Sequence, residues 1–256
     1  MQTAWDYTEH AKAYAKRPDY AREAIDRMVQ RVEAPSRAAV ADIGAGTGHL
    51  TQHLVRRGFD VTAVEPNDAM RAEALARFSG VPNVRFVEAS AEDTGLPGGS
   101  FALVTFGSSF NVTDRPAALR ETARLLAPGG WFACMWNHRD LDDPLQKAIE
   151  GAIRRRIPSY GYGARREDQT GVINASKLFG DVRTISGNVT HEIATDDFIE
   201  GWRSHATLAR QAGDQFADVV REIAAIVENT TSDRVRVPYT TRVWMAQLAG
   251  PAAESA

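Results

Sequence analysis

The stretch that decides the fold is ADIGAGTGHL, residues 41–50, in which three glycines stand at every second position after an apolar run. Such a turn lets the backbone approach a ligand closely, and the helix that follows offers free N–H groups at its start. The dinucleotide fingerprint is G-x-G-x-x-G, whereas Gly44, Gly46 and Gly48 are spaced G-x-G-x-G and His49 occupies the position of the third fingerprint glycine. No Lys-Ser or Lys-Thr pair follows, so the spacing disfavours both a dinucleotide turn and a phosphate-binding loop.

Apolar runs that predict strands alternate with amphipathic stretches that predict helices. The predicted strands lie at 39–44, 60–66, 83–90, 101–107 and 131–136. This alternation is typical of a parallel, doubly wound sheet with helices on both faces. Upstream, residues 18–32 predict a helix that begins near Pro18 and packs on the sheet. The apolar face of that helix carries Ile25, Met28, Val29 and Val32.

The pattern changes after Asp140. Residues 143–160 predict an amphipathic helix, and the Tyr-, Gly- and Arg-rich stretch behind it predicts an inserted lid. A strand at 181–194, helices at 196–211 and 215–229, and a late strand that Pro238 interrupts complete the pattern. We expect one domain over 1–256, divided into an N-terminal cover (1–34), a cofactor-binding core (35–140), a lid (141–180) and a sheet-completing part (181–256).

The composition excludes several classes of protein. A net charge of -3 over 256 residues gives no polybasic surface, which argues against a nucleic-acid partner. No eighteen apolar residues follow one another and the first twenty lack the apolar core of a secretion signal, so we expect a cytoplasmic protein without a membrane span. The single Cys134 is expected in a buried strand. The histidines show no metal-type spacing with Cys or acidic residues, so no metal site is expected.

Two acidic residues stand at the ends of the first two predicted strands. Asp42 precedes the glycine turn, where a carboxylate repels a pyrophosphate and attracts a cation or an ammonium group. Glu65 closes the second strand, where a carboxylate can accept hydrogen bonds from both hydroxyls of a ribose. With the glycine spacing, these carboxylates favour S-adenosylmethionine, which has a ribose, an adenine, an ammonium group and a sulfonium but no phosphate.

At these residues the sequence resembles the class I S-adenosylmethionine-dependent methyltransferases. VADIGAGTGHL (40–50) is similar to their first motif and VTAVEPNDAM (61–70) to their second. RFVEASAEDTGLP (85–97) is similar to their adenine-side segment, and ETARLLAPGGWFACMWN (121–137) to their turn into the fifth strand. The resemblance implies an α/β, Rossmann-like fold with a doubly wound, mostly parallel seven-stranded sheet, an antiparallel late strand, an N-terminal helical cover and an inserted lid.

Three further stretches resemble a subgroup that methylates small molecules, the trans-aconitate and type 11 methyltransferases. They are YAKRPDY (14–20), WNHRDLDDPL (136–145) and PYTTRVWMA (238–246). The chain departs from the trans-aconitate type after the fourth strand, where Ser-Phe-Asn-Val (109–112) replaces Ala-Phe-His-Trp. Because this departure falls where the acceptor meets the sulfonium, the acceptor is not carried over from that subgroup.

The resemblance also implies which residues hold the cofactor. The three glycines pass beneath its methionine part and ribose, Asp42 faces the ammonium group or a bound water, and Glu65 binds the ribose hydroxyls. Met70 or its neighbours lie against the adenine, and Ser90 replaces a frequent Asp, so the contact with the exocyclic amine falls to the nearby backbone. The full expected set is Tyr14, Arg17, Asp42, Gly44, Gly46, Gly48, Glu65, Pro66, Met70, Ser90, Ala91, Glu92, Gly107 and Ser108.

Methyl transfer from a sulfonium requires alignment and exclusion of water more than a catalytic group. His138, after the fifth predicted strand, is the candidate general base, and Asn111 is the candidate that orients the acceptor; loop-capping roles are the alternatives. His49 is expected to pack over the cofactor without ionising. Five arginines between 154 and 166 form a solvated charged face or, alternatively, meet an anionic acceptor.

The sequence thus predicts an S-adenosylmethionine-dependent methyltransferase that acts on a small-molecule metabolite or natural-product intermediate and releases S-adenosylhomocysteine. A monomer or a homodimer is expected. The alternatives are a relative of the fold that uses the cofactor for sensing or for chemistry other than methyl transfer, and an NAD(P)-dependent oxidoreductase on the same architecture.

Overall fold

The computed structural model describes residues 17–203, 205–230 and 233–250, which form one seven-stranded sheet and its surrounding helices. The elements in chain order are α1 (Arg22–Val32), β1 (Ala39–Ile43), α2 (His49–Arg56), β2 (Asp60–Val64), α3 (Asp68–Arg77), β3 (Val84–Val87), β4 (Phe101–Gly107), a 3₁₀ turn (Phe110–Val112), α4 (Arg115–Leu125), β5 (Leu126–Arg139), α5 (Pro144–Arg156), a 3₁₀ turn (Gly163–Arg166), α6 (Thr170–Ser176), β6 (Arg183–Ala194), α7 (Thr195–Arg203), α8 (Ala206–Ala212), a 3₁₀ turn (Gly213–Gln215), α9 (Phe216–Glu228) and β7 (Arg234–Gln247). Side-chain oxygens of Asn67, Asp114 and Asp143 cap the N-termini of α3, α4 and α5.

The strand order is β3-β2-β1-β4-β5-β7-β6. Strands β1 to β5 pair in parallel, and β7 pairs antiparallel with both β5 and β6. The order reverses between β1 and β4, which is the place where open α/β sheets bind their ligands beyond the carboxyl ends of the strands. The predicted mostly parallel sheet with an antiparallel late strand is confirmed.

Alternating residues of the strands pack two layers of core against the sheet. On one face, Phe106, Phe132 and Trp136 form an aromatic core with Trp244. On the other face, α1 covers the sheet, and a Cβ on Gly187 of β6 would lie only 2.8 Å from the Ala24 nitrogen. Cys134 is fully buried in β5, as expected, and burial raises the pKa of its thiol well above the usual value.

A third apolar cluster lies beyond the carboxyl edge of the sheet. It joins α5 to α7, α8 and α9, with Ile149 and Ile153 on the buried face of α5 and Leu145 half-buried. The predicted amphipathic helix after Asp140 therefore forms with the predicted inward face. The division of the domain into cover, core, lid and sheet-completing part stays a prediction.

Three details of the sequence prediction are wrong. Helix α1 begins at Arg22, not near Pro18, because side chains of β5 and β6 hold residues 18–19 by their carbonyl oxygens. The helix predicted over 196–211 is two helices, since α7 ends at Arg203 and α8 starts anew with His205 as its N-cap.

The third error concerns Pro238, which does not interrupt β7. The strand runs through it, and the Pro238 carbonyl oxygen accepts a hydrogen bond from the Asp140 N–H at 2.9 Å. The nitrogen of Pro238 therefore faces the same side, where β5 has already ended at Arg139. A proline is tolerated there because the missing donor falls outside the ladder.

Candidate active site

The glycine turn between β1 and α2 takes the left-handed conformations that its composition predicts. Gly44, Gly46 and Gly48 have φ of 65°, 57° and 85°. A Cβ on Gly44 would lie 2.5 Å from Ser109 Cβ, and one on Gly48 would lie 2.4 Å from Phe78 Cε2, so both glycines are needed for packing. A Cβ on Gly46 meets nothing within 4 Å. Gly44 and Gly48 allow the turn to pack closely against Ser109 and Phe78. Gly46 borders open space that a side chain at this position would occupy.

Glu65 lies directly after β2, and its carboxylate faces this turn. Its Oε2 accepts from the Gly46 N–H at 2.8 Å and its Oε1 from the Asn67 N–H at 2.9 Å. The residue is 7% exposed, and burial raises its pKa against the opposing effect of these hydrogen bonds. Each oxygen retains a second lone pair, so the carboxylate can also accept hydroxyl donors from a ligand above the turn.

Asp42 is fully buried beneath the turn. Its Oδ2 accepts from Thr51 Oγ1 at 2.6 Å and its Oδ1 from Thr105 Oγ1 at 3.0 Å. Burial raises the pKa of this carboxyl to about 6, although both hydroxyls oppose the shift. The side chain therefore ties β1 to α2 and β4, and the expected contact with an ammonium group stays a prediction.

The expected adenine-side residues lie at the carboxyl ends of β2 and β3. Met70 is buried, and its N–H donates to Asn67 Oδ1 at 3.0 Å. Ser90 Oγ accepts from the Asp93 N–H at 3.3 Å, while Ala91 packs against the aromatic core. Glu92 Oε1 accepts from the N–H of the α4 cap at 2.9 Å. Pro66 follows Glu65 in this segment, and contact of these residues with adenine stays a prediction.

The segment after β4 closes over the glycine turn. Gly107 pairs with Met135, and Ser108 has a φ of 61°, a left-handed conformation that is costly for a residue with a side chain. Ser109 Oγ donates to the Ile43 carbonyl at 2.6 Å, which fixes the segment directly against β1. The structure therefore brings the expected residues Gly107 and Ser108 to the same edge as the glycine turn.

Tyr20 is a site residue that the sequence analysis missed. Its hydroxyl and Ser108 Oγ are hydrogen-bonded at 3.0 Å, and a Cβ on Gly107 would lie 3.0 Å from the same hydroxyl. Burial raises the Tyr20 pKa to about 12, so the phenol stays neutral. The stretch YAKRPDY contained the signal, but the resemblance directed attention to Tyr14, which lies outside the described residues, and to Arg17.

Asp19 fastens the chain between Arg17 and Tyr20 to the body of the domain. Its Oδ1 lies 2.8 Å from His53 Nε2, and its carbonyl oxygen accepts from Asn137 Nδ2 and His191 Nε2, each at 2.9 Å. Burial opposes ionisation, but the bond and charge of His53 hold the Asp19 pKa below its usual value. Arg17, next to this clamp, is exposed, and its expected pairing with a carboxylate of the cofactor stays a prediction.

The candidate acceptor side lies at the end of β5. His138 is inside this strand, paired with Thr240, and does not follow it as predicted. Burial lowers the His138 pKa to about 4, and nearby arginine charges add to the shift, so the imidazole is neutral and able to accept a proton. Asn111 Oδ1 accepts from Trp136 Nε1 at 3.0 Å, which fixes the amide against the core. The catalytic roles of His138 and Asn111 stay predictions.

His49 and the arginines behave differently from one another. Burial lowers the His49 pKa to about 4, and the charge of Arg77 adds to this, which agrees with a ring that packs without ionising. Arg154 pairs with Glu150 and the next two arginines pair with Glu222 on the exposed surface, as a solvated charged face does. Arg165 and Arg166, by contrast, are half-buried.

The described residues contain neither a metal-binding cluster nor a membrane-spanning helix. Within 17–203, 205–230 and 233–250, no three His, Cys, Asp or Glu side chains are grouped so that they could hold a metal ion. Over the same residues, no helix has the length and apolarity needed to cross a membrane.

Comparison with known proteins agrees with this geometry. Residues 41–134 match the family described as "Methyltransferase domain". The chain is 38% identical over 125 residues to an uncharacterized methyltransferase of Mycobacterium tuberculosis H37Rv, a match that covers 48% of each protein. It is 29% identical over 180 residues to the ubiquinone/menaquinone biosynthesis C-methyltransferase of Caulobacter vibrioides, covering 64% of this chain and 70% of that one. The chain thus spans about half the length of the first curated relatives it matches.

A solved structure extends the likeness to nearly the whole chain. The putative type II methyltransferase of Anaeromyxobacter dehalogenans has a TM-score of 0.59 and 24% identity, covering 90% of this chain and 97% of that one. At this identity the likeness concerns the fold alone. Together, the match of residues 41–134 to a methyltransferase domain and the shared fold confirm the resemblance to the class I S-adenosylmethionine-dependent methyltransferases.

Proposed function

We propose that this chain transfers a methyl group from S-adenosylmethionine to a small-molecule metabolite or natural-product intermediate. The observation that carries the proposal is the turn at Gly46, which borders open space on one side and the Glu65 carboxylate on the other. A phosphate-free ligand with a ribose fits this place, because the carboxylate repels phosphate and accepts from hydroxyls.

The residues present fit the cofactor. The glycine turn would lie beneath its methionine part and ribose, Glu65 would accept from the ribose hydroxyls, and Met70 with the 90–92 segment would border the adenine. Asp42 would act through its charge, since its oxygens already accept hydrogen bonds from Thr51 and Thr105. When bound, S-adenosylmethionine supplies a methyl group on a sulfonium, a good leaving group.

The remaining tasks of the protein are alignment and exclusion of water. Tyr20 and Ser108 close the junction of β4 and α2, and the Asp19 clamp keeps Tyr20 in this position. Alignment of this kind is worth roughly 7–11 kcal/mol in intramolecular reactions. For an acceptor that must lose a proton, His138 is the base we propose, because its imidazole is neutral and lies at the carboxyl edge of the sheet.

One relative and the charge of this chain support a small-molecule acceptor. The Caulobacter relative is named for ubiquinone and menaquinone biosynthesis, and the chain has a net charge of -3 without a polybasic surface. The sequence prediction of a cytoplasmic monomer or homodimer, and the division at 34, 140 and 180, belong to the same proposal.

A thermal-shift comparison tests the cofactor. We expect S-adenosylhomocysteine to raise the melting temperature and NAD or NADP to leave it unchanged; stabilisation by the nicotinamide cofactors alone contradicts the proposal. A labelled-methyl assay on small-molecule acceptors then tests transfer. Binding of S-adenosylhomocysteine with no transfer to any acceptor of a broad panel points to a sensing relative.

A further inference from the structure

A tryptophan of β5 holds the side-chain amide of Asn111 in one orientation. Trp136 Nε1 donates to Asn111 Oδ1 at 3.0 Å. An indole N–H can only donate, so the amide atom that faces it must be the oxygen, and the Nδ2 group is turned the other way. A side-chain amide has two different ends, an acceptor and a double donor. This one hydrogen bond therefore decides which end Asn111 presents to its surroundings.

The donor end of the Asn111 amide is open to the outside. Among residues 17–203, 205–230 and 233–250, no atom accepts a hydrogen bond from Asn111 Nδ2. The side chain is half-buried, and Nδ2 is not one of the fully buried polar atoms that lack a partner. A molecule from outside the protein can therefore reach this atom, and both of its N–H bonds are available to that molecule.

The 3₁₀ turn that carries Asn111 is fixed on both sides. Before it, Ser109 packs against the glycine turn, where a Cβ on Gly44 would lie 2.5 Å from Ser109 Cβ. Within it, Phe110 is fully buried in the aromatic core. After it, Thr113 Oγ1 donates to the Phe110 carbonyl at 2.9 Å. The open amide donors of Asn111 thus lie at the carboxyl edge of the sheet, between the glycine turn and the end of β5.

Trp136 is itself held firmly by its neighbours. Its ring meets the ring of Trp244 edge-on with centres 5.7 Å apart, and each residue is 1% exposed. Trp244 Nε1 donates to Asp168 Oδ1 at 3.2 Å, so the second indole is bonded to a different segment. A reversed Asn111 amide would leave the Trp136 N–H buried without an acceptor, which keeps the amide in the observed orientation. The two tryptophans are equally buried, but of the two it is Trp136 that bonds to Asn111.

We propose that Trp136 is a positioning residue for methyl transfer, and that it fixes Asn111 so that the amide presents N–H donors to the methyl acceptor. The inference rests on the proposed methyl transfer. The donors bind a lone pair on the acceptor molecule, beside the atom that receives the methyl group. A group that can only donate, such as an ammonium, finds no partner at this place, so the orientation of the amide also contributes to specificity.

Nuclear magnetic resonance of the isotopically labelled full chain tests the orientation without knowledge of the acceptor. Asn111→Asp removes the NH₂ pair of Asn111 from the spectrum and so assigns it, and Trp136→Phe assigns the indole N–H. We expect saturating S-adenosylhomocysteine to shift the NH₂ pair, because the amide faces the space beside the cofactor. Asn111→Ala should move the indole resonance of Trp136 and leave that of Trp244 in place. An NH₂ pair that does not respond, or an indole resonance of Trp136 that stays unchanged, overturns the proposal.

Kinetics with an acceptor that the unaltered chain methylates test the effect on transfer. Trp136→Phe should lower kcat/KM about tenfold, because the amide is no longer held. Trp244→Phe, the matched control from the same pair of rings, should change it by less than about twofold. Asn111→Asp keeps an oxygen towards Trp136 but replaces the donors by an acceptor, so it should lower kcat/KM about 100-fold. Full activity of Asn111→Asp contradicts the proposed donor role.

A double-variant comparison separates positioning from a general structural role. Because Trp136 acts through the amide, Trp136→Phe should have no further effect on kcat/KM in an Asn111→Ala background. A tryptophan that only supports the fold would lower transfer by the same factor in both backgrounds, and this result overturns the proposal. Equal losses in Trp136→Phe and Trp244→Phe overturn it as well.

Binding of S-adenosylhomocysteine, measured by calorimetric titration in each protein, separates this inference from the proposed function. If the unaltered chain does not bind it, the proposed function fails. If the chain binds it and the NH₂ pair of Asn111 does not respond, only the present inference fails. The spectra alone decide if Trp136→Phe does not fold or if no acceptor is methylated, because the response of Asn111 is measured in the unaltered protein. The dispersion of the same spectra verifies that each variant is folded.

Discussion

The two sides of the candidate site differ in construction: the cofactor side is formed mainly by a backbone turn and the acceptor side by side chains of separate elements. On the cofactor side, Glu65 bonds to the backbone of Gly46 and Asp42 bonds to Thr51, both within about twenty residues, and only the support from Thr105 and Ser109 comes from further along the chain. On the acceptor side, Arg139 meets Gln146, Arg166 and Trp202, which belong to separate elements. A backbone turn suits a cofactor that is the same in every member of a family, and it is recognisable in the sequence as a short motif. A site built from side chains of separate elements can change from one protein to another, and no short motif identifies it.

The largest effect is expected at the middle glycine. Gly46→Val should abolish binding of S-adenosylhomocysteine, because the side chain fills the open space beside Glu65 and the backbone has a φ of 57°. Gly80→Val is the matched control, since Gly80 has a φ of 77° and equally open surroundings but lies outside the site. Calorimetric titration of both variants checks this. Equal loss of binding in both would show that backbone strain, not blockage, is responsible.

On the acceptor side, His138→Ala should lower turnover by about 100-fold for an acceptor that loses a proton, with affinity for S-adenosylhomocysteine unchanged. The pKa of His138 is about 4, so the base form is present above pH 5 and the unaltered protein should lose activity only as the pH falls through 4. This loss of activity near pH 4 should be absent from the pH profile of the variant. Any loss of activity near pH 6 that arises from Asp42 should be seen in both proteins. Full activity of the variant from pH 4 to 8 means that His138 is not a base.

A smaller effect is expected for Glu65→Gln. The change keeps the shape of the side chain but removes the charge and one acceptor atom, so affinity for S-adenosylhomocysteine should fall about tenfold. The control is Glu88→Gln, which removes an exposed negative charge near the end of β3. If both variants weaken binding equally, the effect is one of net charge and the proposed bond to the ribose is wrong.

The smallest effect on binding, and a clear effect on stability, is expected for Glu121→Gln. The hydrogen bond from the Arg124 guanidinium lowers the pKa of Glu121 from its ordinary 4.5 to about 2. Burial raises this pKa, and the hydrogen bonds from Thr94 lower it further. The ionised form is thus favoured in the folded state, so its contribution is complete above pH 4.5 and is lost as the pH falls towards 2. At about 1.4 kcal/mol per pKa unit, Glu121→Gln should lower the free energy of unfolding at pH 7 by roughly 3 kcal/mol.

Urea unfolding at pH 7 and pH 3 measures this. The difference in the free energy of unfolding between Glu121→Gln and the unaltered protein should be smaller at pH 3 than at pH 7. Glu23→Gln, which alters an exposed pair with Arg27 at 3.9 Å, should change the free energy of unfolding by less than about 0.5 kcal/mol. A gap that is constant with pH would mean that Glu121 contributes through packing and not through its charge.

The sequence predicted the sheet and the conformation of the glycine turn because both follow local rules, while cofactor contact by the expected residues stays a prediction. Alternating strands and helices, and glycines at positive φ, are visible in short windows. Pro238 was misjudged since a proline within a strand is acceptable only where the neighbouring strand has ended, which is a property of the sheet and not of the segment. The contact of Tyr20 with Ser108 joins residues that are 88 positions apart, so no local sequence pattern could predict it.

The acceptor side was predicted only as a choice between a charged surface and an anion site. The structure divides the five arginines: those at the end of α5 form exposed pairs with glutamates, and those in the following turn are half-buried. Burial of this kind depends on Trp202 and the strand end at Arg139, which are distant in the chain. Side-chain spacing alone could not distinguish the two groups.

The clamp at Asp19 has a consequence for how the protein is made. Asp19 bonds to His191, 172 residues further on, and α1 packs on β6, so these two contacts cannot form until β6 has left the ribosome. At roughly 5–20 residues per second, the contact of α1 with β6 forms on the order of 10 to 35 seconds after α1 is made. The Asp19 clamp and the packing of α1 are therefore completed only after β6 has been made, although the residues that form them precede the sheet in the chain.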